Sequence, residues 1–155
     1  MNTNTELVQY ADRLRIPLRW ISQKNLLKDA KLQDGGYIIN LQDDERADGM
    51  DQPGSHWVCF WIEDGKAVYF NSFGMAPPAE VQIYLRRYKP IPYNNQQIQN
   101  IASGHCGIYC IFFLYWMHRH RKLPVMKRFQ RFLDVWSDNP LENLTILKRH
   151  MADFF

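Results

Sequence analysis

The sequence predicts an α+β fold, a mixed β-sheet carrying one well-marked hairpin with a buried helix that begins at a cysteine packed against it. Three observations lead there. Two β-prone runs, His56 to Ile62 and Ala67 to Asn71, are joined by a Gly-containing turn at Glu63-Asp64-Gly65-Lys66. An apolar run from Ile108 to Met117 follows the small, turn-prone Ala102, Ser103 and Gly104, which puts Cys106 at a helix start. Helix-period segments flank both, with no internal repeat or low-complexity linker, so residues 1–155 read as a single domain.

Taken in order, Leu7, Tyr10, Ala11 and Leu14 lie at helical spacing within Glu6 to Arg15, and Pro17 closes that segment. Ser22 is placed to cap a second short turn through Asn25 to Ala30, and Asp34-Gly35-Gly36 reads as a turn. Tyr37 to Leu41 reads as a buried strand, and the polar stretch Gln42 to Ser55, with its acidic Asp-Asp-Glu-Arg patch, as the loop that delivers the chain to His56. Both hairpin strands are apolar on both faces, as expected in the middle of a covered sheet. Pro78 suits the first turn of a helix over Ala79 to Tyr88, with Val81, Ile83, Tyr84, Leu85 and Tyr88 as its buried side, stopped by Pro90 and Pro92. Ile91 to Gln99 is long enough for another strand. Helices over about 125–136 and 141–154 complete the chain.

Bulk properties exclude several classes. Hydrophobic content of 46% and aromatic content of 14% give a globular chain and not a disordered one. Three cysteines make an odd count, and Met1 to Glu6 is polar without an apolar signal region, so a reducing interior is expected and secretion is not. The longest apolar run, Cys110 to Met117, falls far short of the roughly 20 residues of a membrane span. A net charge of +3 is mild, yet His118 to Arg131 gathers many of the cations. That run fits a solvated helix face or a polyanion-binding surface built from Arg119, Arg121, Lys122, Lys127, Arg128 and Arg131.

A cysteine at a helix start is biased toward thiolate by the helix dipole and by unpaired N–H groups, which also await any oxyanion formed nearby. A nucleophile further needs a base and a group to orient it. His56 begins one hairpin strand and Asn71 ends the other, so the two ends are neighbours and the Asn71 carbonyl can hold one ring nitrogen, leaving the other for Cys106. Gln99, seven positions before Cys106, can offer its amide beside the Cys106 N–H as an oxyanion hole. Gly104 and Gly107 allow close approach on either side of the nucleophile. Each residue alone has an ordinary explanation; the order His, Asn, Gln, Cys is what singles them out. Cys110, one helical turn on, should face the core. The spacing of Cys106, Cys110, His118 and His120 matches no common zinc pattern, and no metal is expected.

These motifs resemble the adenovirus-type (adenain-like) maturation cysteine proteases, which share their fold with SUMO-deconjugating proteases. Gly54-Ser55-His56-Trp57-Val58 is similar to the family's Gly-x-His-Trp, and Tyr69 to Gly74 to its acidic-residue-x-Phe-Gly turn. Gln99 through Cys110 matches Gln-x(6)-Cys-Gly, and Asp138-Asn139-Pro140 with Asn143 its late Asn-Pro-x-x-Asn. The resemblance implies a papain-like, adenain-like fold with His56 as general base, Asn71 as its orienting residue, Gln99 in the oxyanion hole and Cys106 as nucleophile. It also implies substrate contacts from Trp57, Gly54, Ser55, Gly104 and His105, and viral capsid or core precursors as substrates, cut at small, often glycine-bearing sites. The source would be a DNA virus, a virophage or a Polinton-type element, with the enzyme working as a monomer in the virion and the host cell interior.

The pattern departs from the family in three places. Asn71 stands where Glu or Asp is common; it can orient His56 but brings no full charge, an arrangement that Cys-His-Asn proteases show to be workable. With only Cys59, Cys106 and Cys110, no disulfide-linked activating peptide is expected. The segment after Asn143 is short, leaving little surface for a cofactor strap and pointing to a minimal relative. No cofactor is required for the chemistry, while the family implies that virion DNA or a peptide stimulates it. Two other readings fit the residues: a deconjugating protease for a ubiquitin-like modifier, with Trp57 flattening a diglycine channel, and a non-catalytic DNA- or capsid-binding protein on the same fold.

Overall fold

In a computed structural model, which describes residues 2–42 and 56–155, four strands form one mixed sheet. Their spatial order is their chain order: β1 (Leu18–Gln23), β2 (Gly35–Asn40), β3 (Trp57–Glu63) and β4 (Lys66–Phe70). The first pair is parallel, with Ile21 opposite Ile38, and the other two pairs are antiparallel. Among the described residues five α-helices accompany the sheet: α1 (Asn4–Arg13), α2 (Ala79–Tyr84), α3 (Cys106–Arg119), α4 (Val125–Leu133) and α5 (Pro140–His150).

The apolar-on-both-faces pattern of β3 has a direct structural cause, because successive side chains of a strand point to opposite faces. Trp57, Cys59 and Trp61 enter one core with α1, α3, α4 and α5, whereas Val58, Phe60 and Ile62 enter a second with Leu27, Val81 and Leu85. The sheet is thus covered on both sides. Helix α3 lies in the larger core, where ten of its fourteen residues are buried; sheet and helices surround it, so it shows no polar face over its first nine residues. Cys110 is in that core, its carbonyl 3.9 Å from the Cys59 sulfur.

Helix α1 starts two residues earlier than its spacing predicts, because Thr3 and Glu6 form a reciprocal capping box. It docks on α3 through a glycine. A Cβ on Gly107 would come within 2.8 Å of the Leu7 side chain and 3.1 Å of Asn2 Oδ1. The close approach at Gly107 is therefore made by the chain's own N-terminal segment, and not by a substrate.

Several expectations change. Ser22 caps nothing: it lies within β1, and its hydroxyl donates to Gln23 Oε1 at 2.7 Å. Gly35 and Gly36 open β2 instead of forming a turn. Strand β4 is at the sheet edge, and its outer side is met by the chain at 92–94, where Tyr69 N–H donates to Pro92 C=O at 2.9 Å. The strand expected over Ile91 to Gln99 reduces to that single bridge, since Pro90 and Pro92 have no N–H to donate to a ladder. Pro78 precedes α2 as its cap, α2 gives way to a 3₁₀ turn at Arg86–Tyr88, and Ile83, expected inside, is 60% exposed.

Arg128 is the largest correction to the charge pattern. Its side chain is 1% exposed and points inward, so it cannot join the surface formed by Arg119, Arg121, Lys122, Lys127 and Arg131, all of which are exposed. Its guanidinium meets both Glu63 oxygens at 2.9 Å and also donates to the carbonyls of Met117, Arg121 and Leu123. One side chain therefore ties the end of β3 to the turn between α3 and α4. A planar fork of five donors suits this task, and lysine would not.

Candidate active site

The hairpin register places the residue before β3 beside the residue after β4, and the structure brings the two side chains together. His56 Nε2 lies 2.7 Å from Asn71 Oδ1, both groups being buried. An amide oxygen only accepts, so this bond fixes the tautomer with the proton on Nε2 and leaves Nδ1 as the basic nitrogen. The ring is also held from one face by Phe73, stacked at 3.9 Å and 5° between planes. Asn71 Oδ1 itself is anchored by the Phe73 N–H at 2.9 Å, within a turn closed by Gly74 N–H to Asn71 C=O at 2.8 Å. That turn requires glycine: Gly74 has φ of 76°, and a Cβ there would meet the Gln96 carbonyl at 2.7 Å.

Cys106 is the first residue of α3, and its sulfur accepts the Trp57 N–H at 3.4 Å. The sulfur thus sits against the backbone next to His56. No hydrogen bond joins His56 to Cys106 among the described residues; such contacts commonly tighten only once substrate is bound. Burial pushes the thiol up to about 11, an effect the Trp57 amide only partly offsets. Burial also lowers His56, outweighing the Asn71 bond. Burial of a sulfur 4% exposed thus opposes the thiolate bias that a helix start supplies.

Gln99 is fully buried and its amide orientation is set from two sides. The Ser72 hydroxyl donates to Oε1 at 2.6 Å, and Nε2 donates to Ser103 C=O at 2.8 Å. An amide nitrogen has two hydrogens, and the second has no partner among the described residues. Ser72 also accepts the Ile98 and Gln99 N–H groups at its carbonyl, both at 2.9 Å. Asn71 and Ser72 are adjacent, so one dipeptide orients the histidine with one side chain and the glutamine with the next.

The remaining predicted residues divide. Trp57 is buried, and its indole N–H donates to the Asn2 carbonyl at 3.0 Å. His105 caps α3 without a side-chain bond, its ring 4.9 Å from that of Phe155, and Gly104 is exposed just before it. Gly54 and Ser55 lie outside the described residues. The late Asn143 is fully buried, bonding Ile98 C=O and the Ser137 backbone, which makes it a brace for the segment leading to Gln99. Sequence reasoning missed Ser72 and the stacking role of Phe73. The place of Phe73 in the turn motif was a signal for it; nothing marked Ser72.

With this geometry in view, comparisons with known proteins add the following. No family model matches the chain, and no curated protein does. Among solved structures, the chain is similar to the ASFV pS273R protease, at 17% identity and a TM-score of 0.46, over 81% of this chain and 60% of that one. Its Se-Met form gives 16% identity and a TM-score of 0.44, over 83% and 61%. AvrA delL154 with IP6 and CoA gives 16% identity and 0.43, over 90% of this chain and 54% of that one. The chain thus spans about three-fifths or less of these structures' lengths. The chemistry assigned to the site rests on its own geometry.

Proposed function

We propose that the chain is a cysteine endopeptidase of viral precursor proteins. The observation that carries the reading is the buried His56–Asn71 bond of 2.7 Å, formed across the ends of the hairpin strands, with the Cys106 sulfur held at the adjacent Trp57 amide. His56 Nδ1 takes the Cys106 proton to form a thiolate-imidazolium pair, and the thiolate attacks the scissile carbonyl. The Cys106 N–H and the unpartnered Gln99 N–H stabilise the oxyanion. The imidazolium gives its proton to the leaving amine, water activated by the same nitrogen attacks the thioester, and the thiol is regenerated. Asn71 holds the ring throughout without adding a charge.

The substrate class, capsid or core precursors cut at small, glycine-bearing sites, is supported by the Gly-x-His-Trp and Gln-x(6)-Cys-Gly motifs. Virion DNA as a partner is supported by the exposed Arg119, Arg121, Lys122, Lys127 and Arg131. The enzyme acts as a monomer in the virion and host interior, with no disulfide-linked peptide. Incubating the protein with candidate capsid precursors and a peptide library, with and without duplex DNA, tests this when cut sites are read by mass spectrometry. Cleavage absent with a Cys106→Ala control is expected. Rapid labelling of Cys106 by a ubiquitin- or SUMO-aldehyde, with precursors left intact, would move the assignment to a deconjugating protease. DNA binding that does not weaken with salt would remove DNA as a partner.

The pH dependence follows from the site. His56 must be neutral to accept the thiol proton, and its pKa lies below the ordinary histidine value of 6.5. As pH falls through that lowered value the ring takes up a proton and activity is lost. A plot of kcat/KM against pH should show an acid limb centred below 6.5. A limb centred above it would mean that the site stabilises a charged imidazole at rest.

A further inference from the structure

Beyond the four residues of the mechanism, one buried amide reaches the backbone that carries Asn71. Asn71 follows the last residue of the edge strand β4, whose outer side meets no neighbouring strand among the described residues. Asn94 takes the place of that strand with its side chain. Its Oδ1 accepts the Asn71 N–H at 3.1 Å, and its Nδ2 donates to the Asn71 carbonyl at 2.6 Å. The other Nδ2 hydrogen goes to Gln96 C=O at 3.2 Å. The side chain is 2% exposed, and all three bonds run to main-chain atoms whose roles are fixed, so a flipped amide would set donor against donor and acceptor against acceptor.

We propose that Asn94 is a positioning residue for the catalytic base, acting by clamping both peptide groups of Asn71 and so fixing the direction of its side chain toward His56 Nε2. The proposal rests on the reading of His56 and Asn71 as base and orienter. Pairing elsewhere along this edge is sparse: Tyr69 bonds Pro92 on one side of the clamp, and Ser72 receives Ile98 and Gln99 on the other. Within the segment 92–99, Asn94 is the only residue bonded to Asn71 among the described residues. Without it the Asn71 N–H loses its partner and the Asn71 C=O keeps only the Gly74 N–H, so the aim of Oδ1 in the 2.7 Å bond to His56 rests on the Phe73 turn alone. Misplacement of a base by a fraction of an ångström lowers turnover without altering the surface that binds substrate.

The test compares Asn94→Ala, Asn71→Ala and the double variant. The ¹⁵N spectrum of the His56 imidazole, assigned by difference against His56→Gln, reports the tautomer whether or not the protein is a protease. The wild type should show a single Nε2–H form, and Asn94→Ala should show the mixture seen in Asn71→Ala. In turnover, Asn94→Ala should lower kcat by about ten- to a hundredfold with KM changed less than about twofold, and the double variant should lose no more than Asn71→Ala alone. If Asn94→Ala does not fold, Asn94→Asp serves: it keeps the acceptor for Asn71 N–H, removes the donor to Asn71 C=O, and should disturb the same tautomer. A folded variant with the wild-type tautomer, or kcat losses that simply multiply in the double variant, overturns the proposal. Absence of Cys106-dependent cleavage in the wild type would instead count against the peptidase reading, and the tautomer spectra would still decide the role of Asn94.

Discussion

Cys106→Ala is expected to lower peptide-bond cleavage by about 10⁴-fold or more, since no other thiol is placed to replace it: Cys59 and Cys110 are enclosed in the core. Asn71→Ala should be milder, about a hundredfold, because it removes an orienting contact and leaves nucleophile and base in place. The order of the two effects is the informative part. Equal losses would mean that Asn71 does more than aim the ring. Asn71→Asp separates the contributions further. A carboxylate at this position would favour the imidazolium, raise His56 and move the acid limb of the pH profile upward, which initial rates across pH would record.

The second large effect is on stability. Arg128→Ala should destabilise the fold by about 3 kcal/mol, because it leaves three main-chain carbonyls without their donor and Glu63 without its counter-charge, with only the Trp61 indole N–H remaining to it. That figure is the lower end of the range for a buried pair, as Glu63 keeps 22% of its side-chain surface in contact with water. For a chain of this length the loss corresponds to a fall in Tm of roughly 6–12 °C, readable by thermal unfolding. Arg128 holds Glu63 below its ordinary value of 4.5, so the pair contributes fully above that pH and is lost as the acid is protonated below it. The gap between wild type and variant should therefore narrow on acidification below 4.5; a constant gap would assign the effect to packing alone.

Which features the sequence reveals follows from the range of the forces behind them. The hairpin and the pairing of His56 with Asn71 were legible because a tight turn makes strand ends adjacent, a local rule that needs no knowledge of the rest of the chain. Helix α3 was legible for a similar reason, as a continuous apolar run has to be enclosed. Strand β1 was not: it lies at a sheet edge with no fully buried residue, so Leu18 to Gln23 carries no alternation to read. The burial that opposes ionisation of Cys106 was not legible from its helix position, because desolvation depends on everything packed around the sulfur. Arg128 looked like one more cation in a basic run; only the tertiary placement of Glu63, 65 residues earlier in the chain, turned it inward. Ser72 and Asn94 reach their partners across 27 and 23 positions, with no local pattern to announce either.

The three thiols also give the molecule a built-in count of its own folding. Cys106 lies at the Trp57 amide next to His56, while Cys59 and Cys110 are enclosed in the core between β3 and α3. A small alkylating reagent should add one mass increment to the native protein and the other two only when the core opens globally. The interval between the first increment and the next two then measures how long the folded state lasts, in the same tube and by the same spectrum that reports whether the nucleophile is intact.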